Sequence, residues 1–177
     1  DAEKAEEAEA AAIAAIGLSG TWKGACDSTS SDNSTYGVQS LVSSGTSFSS
    51  YWSVYSDSEC STKISSSIDA FKLDIGAAYT LDNGNTGHKG VGTLVSSLET
   101  YYTSGLVNTA NNLSWCGKTW TINTAIDIAG LTCGGTEQDS AGVKTYISYY
   151  INGTSLRFGS SSADNVTSLS SAEYTKQ

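Results

Sequence analysis

The chain carries one histidine, His88, within "NTGHKG". A serine nucleophile needs a neighbouring base to take its proton, so any Ser-His-carboxylate system here would have to run through that residue. The glycines around it predict a turn, which is a poor frame for holding a general base at hydrogen-bond reach of its substrate. An exposed turn histidine is the plainer reading. The carboxylates Asp57, Glu59, Asp69, Asp74, Asp82, Asp127 and Asp139 are scattered, and no spacing nominates a glycosidase acid and nucleophile. "DNGNTG" (82–87) opens like a calcium loop but lacks acidic ligands at its third and fifth positions and a closing glutamate. No phosphate-cradling glycine loop followed by lysine occurs. The expectation is a protein that is not an enzyme, with no cofactor and no metal site.

Four cysteines, Cys26, Cys60, Cys116 and Cys133, are the remaining reactive groups. Their wide, unequal spacing does not suit zinc, which favours close pairs such as C-x-x-C. Two disulfides formed in an oxidising compartment are expected instead. Of the three possible connectivities the sequential one, Cys26–Cys60 and Cys116–Cys133, encloses runs of adjacent strands and is preferred.

The formal charge of −9 and only 9 Lys+Arg repel nucleic acid and anionic membrane surfaces. No apolar run is long enough for a helical membrane span. The chain starts without methionine or a signal peptide and reads as a mature fragment, placed outside the cell, on its surface or in the periplasm. Four glycosylation sequons, at Asn33, Asn112, Asn152 and Asn165, are near what chance gives in so serine- and threonine-rich a sequence. They do not imply a eukaryotic origin.

The elements that must position any site follow from periodicity. "DAEKAEEAEAAAIAAIG" predicts a helix over 1–17, acidic at its N-terminal end and stopped at Gly17. Its only large apolar residues are Ile13 and Ile16, so it reads as an arm or spacer ahead of a β-domain over 18–177. "SFSSYWSVY" (47–55) alternates as a strand. Between 61 and 81 the apolar phase switches near Asp69–Ala70, predicting a bulge or break. "DNGNTG" predicts a hairpin turn. Over 91–106 the spacing of Val91, Leu94, Val95, Leu98, Tyr101 and Tyr102 also fits a helix, but the density of β-branched and aromatic residues favours a strand. The segment 144–159 predicts a hairpin turning at Asn152–Gly153. These strands make an antiparallel barrel or a sandwich.

"GTW" (20–22) and the arginine of "SLRFG", Arg157, resemble the calycin and lipocalin arrangement, in which a first-strand Gly-x-Trp packs against an Arg or Lys on the last strand. The resemblance implies that Trp22 and Arg157 close one end of a calycin-like barrel, a guanidinium on an indole face. "GTWKGAC", "YSDSEC" (55–60), "CGKTW" (116–120), "YYINGTSLRFG" and the terminal "LSSAEYTK" together resemble a class of bacterial secreted proteins and lipoproteins. That resemblance spans about residues 18–175.

Two functions fit. The first is an exported carrier of a small hydrophobic or sugar ligand, with Trp52, Tyr79, Tyr101, Trp120 and Tyr149 stacking on it; the plainer alternative is that these rings fill the core. The second is a structural surface protein, a pilin-like or filament subunit or an adhesin, whose N-terminal helix docks on other copies of the chain.

Overall fold

The computed structural model describes residues 2–5, 7–8, 17–81, 83–161 and 169–177. Ile13, Ile16, Asp82 and Asn165 lie outside the described residues. Residues 2–5 and 7–8 are helical, and Gly17 sits at φ +82°, a left-handed position that suits glycine.

Short polar turns and alternating residues give a meander of strands: β1 (Gly20–Lys23), β2 (Asp27–Ser28), β3 (Tyr36–Ser44), β4 (Ser47–Tyr55), β5 (Lys63–Thr80) and β6 (Thr86–Tyr101). An excursion follows, with helix α1 (Ser104–Asn112), a helical turn at Trp115–Gly117 and the short strands β7 (Ile126–Asp127), β8 (Thr132–Cys133) and β9 (Thr136–Glu137). The chain returns through β10 (Lys144–Asn152), β11 (Ser155–Ser161) and β12 (Glu173–Lys176). Neighbours run in the order β1–β12–β11–β10–β6–β5–β4–β3, and β3 pairs with β1 again. All these pairings are antiparallel, so the fold is a closed eight-stranded barrel rather than a sandwich. Closure leaves no open sheet edge among these strands.

Both predicted hairpins form. Leu81 N donates to Asn85 O (2.8 Å) at the β5–β6 turn, and Gly153 at φ +61° lets Asn152 face Ser155 across the β10–β11 turn. The segment 91–106 is strand as far as Tyr101. It becomes helix at Ser104, where the Thr103 hydroxyl accepts from Leu106 N. The irregularity expected near Asp69–Ala70 is present: the β5–β6 pair shifts register between Ala70 and Phe71. β5 pairs with β4 in unbroken register from Lys72 to Ser65, and the extra residue is Val95 on β6, between Leu94 opposite Phe71 and Ser96 opposite Ala70. Ile64 and Ile68 therefore lie on the outer face while Asp69, Phe71 and Leu73 share the inner one.

Two separate cores result. The barrel core contains Leu18, Trp22, Leu41, Phe48, Leu73, Ile147, Tyr149, Leu156 and Tyr174. The second packs Val107, Ala110, Trp120 and Ile128 around Cys116 and Cys133, against the far end of β6. The bridges are Cys26–Cys60 and Cys116–Cys133, the sequential pairing. The first ties the chain after β1 to the β4–β5 loop, and the second staples the excursion. Among the described residues no helix is long and apolar enough to cross a membrane.

The barrel end is closed by Trp22, fully buried, its indole Nε1 donating to Leu18 O at 2.8 Å. The cation over its ring is Lys176, with Nζ 5.2 Å from the centroid, and the expected partner Arg157 is elsewhere. Alternation explains the correction. On β11 Leu156 and Phe158 turn inward, so Arg157 between them turns out. The last strand is β12, where Tyr174 and Lys176 share the inner phase and Lys176 stands directly opposite Trp22.

Candidate functional site

One end of the barrel is plugged; the other is a cup. Inner-face positions of the plugged end carry Leu18, Trp22, Leu41, Leu73, Tyr149 and Leu156, all essentially inaccessible to solvent. Further along the same strands the inner side chains shorten or turn polar, and a cavity of about 640 Å³ remains. That volume lies in the range of small-molecule pockets. Its apolar wall comprises Phe48, Phe71, Phe158, Ile147, Leu169 and Tyr174, so all three phenylalanines of the chain line it.

Strand pairing brings these rings together. Phe48 faces Phe71 directly across β4 and β5, with centroids 6.2 Å apart and planes tilted by 45°. Phe48 also stacks on Phe158 at 5.4 Å and 14°. Such offset ring pairs stabilise the wall beyond the area they bury. Gly92 of β6 belongs to the same wall; a Cβ there would press on the Phe71 ring at 3.2 Å, so the glycine leaves that ring its place.

The polar side is at least as extensive as the apolar one, with Ser50, Asp69, Thr145, Ser160 and Gln39 on it, and part of it is committed. Tyr174 donates its hydroxyl to Gln39 Oε1 (2.6 Å), and Gln39 Nε2 donates to Ser50 Oγ (3.1 Å). The buried Tyr174 phenol titrates above its ordinary range because burial disfavours the phenolate, which keeps it a donor. Asp69, opposite Ser50, accepts from Ser97 Oγ through Oδ1 at 2.6 Å. It is the one charged residue among the cavity's described lining.

Arg157 shapes this cup from outside. Its Nε and Nη2 both donate to Ser170 O, at 3.2 and 3.1 Å, while Ser170 N donates to Phe158 O. The guanidinium thereby pins Leu169 and Ser170, which form part of the wall.

None of the aromatic residues nominated from the sequence lines the cavity. Trp52 shares the inner phase of β4 but lies beyond the cup, 40% exposed, with its ring over Gly37 where a Cβ would otherwise stand. Tyr79 follows a second register shift in β5 and turns outward, under the ammonium of Lys89 at 5.0 Å. Tyr149 belongs to the plug and stacks on His88 at 5.4 Å. Tyr101 and Trp120 pack on each other at 4.7 Å in the second core. There Glu99 joins the excursion to β6, accepting from Tyr101 OH at 2.6 Å and Trp115 Nε1 at 3.1 Å. Burial, and secondarily Glu99, push the Tyr101 phenol upward. Tyr149, Tyr101 and Trp120 belong to the two cores, whereas Trp52 and Tyr79 lie outside both. The phenylalanines and Tyr174 went unnominated, although a phenylalanine has no polar tip to satisfy and suits an interior wall better than tyrosine or tryptophan.

His88 is on β6 rather than in the turn, because the turn closes at Leu81–Asn85 and the ladder resumes at Thr86. Among the described residues no group of three His, Cys, Asp or Glu is placed to hold a metal. No protein-family model matches the chain, and no curated protein sequence matches it.

Proposed function

We propose that this protein is an exported, non-enzymatic carrier that holds a small, mainly apolar ligand in the cup of its barrel. The reading rests on one observation: a cavity of about 640 Å³ walled by the chain's three phenylalanines, next to a plugged barrel end that gives it a floor. Closing an aromatic ligand away from water there would be favourable by roughly 25 cal/mol per Å² of apolar surface. The three phenyl rings suit a hydrophobic body on one side of the wall, while on the polar side Tyr174, Gln39 and Ser50 are bonded to one another. Two disulfides belong to an oxidising compartment, extracellular, cell-surface or periplasmic. The calycin resemblance adds support, with Lys176 in the role first assigned to Arg157.

The neutral fluorophore N-phenyl-1-naphthylamine tests the proposal. Saturable one-to-one binding by the full chain, abolished by the cavity-filling Ser50→Trp with the barrel still folded by circular dichroism, is the expected result. Absence of saturable binding, or binding untouched by Ser50→Trp, would reject it.

A further inference from the structure

Asp69 gives the cup a chemical preference. Its neighbours on the inner face are polar or aromatic, and among the described lining residues there is no Lys, Arg or His to neutralise it. Oδ1 accepts from Ser97 Oγ, and no donor among the described residues reaches Oδ2. A half-buried carboxylate with spare acceptor capacity is incompletely compensated, and a donor carrying positive charge compensates it best. The rest of the described wall offers neutral groups only, hydroxyls such as those of Thr145 and Ser160 and a Gln39 amide occupied at both ends, so Asp69 is its one charged acceptor.

Geometry sets the shape of the guest. Ser50 faces Asp69, and Phe48 faces Phe71, two residues along the same face. The carboxylate therefore stands about 7 Å along the strand from the phenylalanine pair, at about 3.3 Å per residue. Anions would meet Asp69 without a counter-charge, in a protein whose formal charge is already −9.

We infer that the cup selects a small arylalkyl or alkyl amine, with its ammonium on Asp69 and its apolar body among Phe48, Phe71 and Phe158. The inference rests on the carrier reading and narrows it from apolar ligands in general to cationic amphiphiles. The rings add to the preference, because their faces attract a cation that passes between them and the carboxylate.

Calorimetric titration of the full chain with 2-phenylethylamine, 2-phenylethanol and 3-phenylpropanoate at neutral pH separates the two levels, with N-phenyl-1-naphthylamine as the charge-blind probe. The amine is expected to bind about tenfold or more tightly than the alcohol, with no measurable binding of the acid. Asp69→Asn should bring amine and alcohol to within about twofold of each other while leaving the fluorophore's affinity unchanged. Equal binding of amine and alcohol to the wild-type protein, or an amine preference that survives Asp69→Asn, overturns the inference. If the fluorophore binds in either case, the carrier reading stands. Failure of the fluorophore and all three aryl compounds to bind removes both. Should Asp69→Asn not fold, the wild-type comparison of amine with alcohol still decides.

Discussion

Lys176 and Trp22 join the two ends of the chain: the ammonium of the last strand lies 5.2 Å from the indole centroid of the first. The pair sits at the seam where β1, inserted between β3 and β12, closes the barrel. Trp22→Ala is expected to destabilise the fold by about 3–5 kcal/mol, as for other buried tryptophans. Lys176→Ala should cost about 0.5–1 kcal/mol, the scale of an exposed cation–π contact. In urea denaturation the two should couple. Trp22→Ala and Arg157→Ala, which share no partner, should add to within about 0.5 kcal/mol. Coupling to Arg157 in place of Lys176 would contradict the seam described here.

The two cores predict two levels of unfolding. Cys116–Cys133 closes a loop of 17 residues and Cys26–Cys60 one of 34, which in the loop-entropy picture corresponds to about 3 and 4 kcal/mol. Replacing Cys116 and Cys133 together with alanine should loosen only the excursion. Limited proteolysis should then cut between residues 102 and 143 while the barrel keeps its cooperative transition. Loss of the whole transition would mean that the excursion is integral to the barrel.

Asp57 predicts an acid-sensitive loop. Its carboxylate accepts from Ser61 N, Ser61 Oγ and Thr62 N. The bonds from the Ser61 and Thr62 backbone, in that order, lower its pKa from 3.8 to about 2. A carboxyl lowered on folding contributes stability above its unfolded value, and that contribution is lost as pH falls through about 2. The same loop carries Cys60 at φ +50°, so the carboxylate supports a loop in which a disulfide cysteine is itself left-handed. The Tm of the wild-type protein should therefore fall more steeply between pH 4 and 2 than that of Asp57→Asn. Parallel pH profiles would show that the loop bonds do not contribute.

Much of the barrel was legible in the sequence because alternation and turn chemistry are local. β4, the β5–β6 turn and the Asn152–Gly153 hairpin follow from neighbouring residues alone, and the sequential disulfides from the runs of strands that each pair encloses. What is not local is which phase faces inward. Serine and threonine occupy both faces, so Trp52 and Phe48 look equivalent on β4 although only Phe48 reaches the cavity. The break in the β5 pattern marks the bulge of the β5–β6 pair at Ala70–Phe71, although its extra residue, Val95, is on β6. The calycin resemblance pairs Trp22 with Arg157, whereas the last strand is the four-residue β12 and carries Lys176. The cavity wall is hard to read from sequence for a related reason. Tyrosine and tryptophan suggest ligand-stacking rings, but their polar tips tie Tyr101 and Trp120 to partners outside the cup.

Because the chain has only three phenylalanines and all line the cavity, isotope labelling of phenylalanine alone reports on the cup. The most direct measurement is an NMR titration of the phenylalanine-labelled protein with N-phenyl-1-naphthylamine. Shifts of all three ring systems, with intermolecular nuclear Overhauser contacts from the probe to Phe48, Phe71 and Phe158, are the result the carrier account predicts. A bound probe that leaves the three phenylalanine signals unmoved would contradict it.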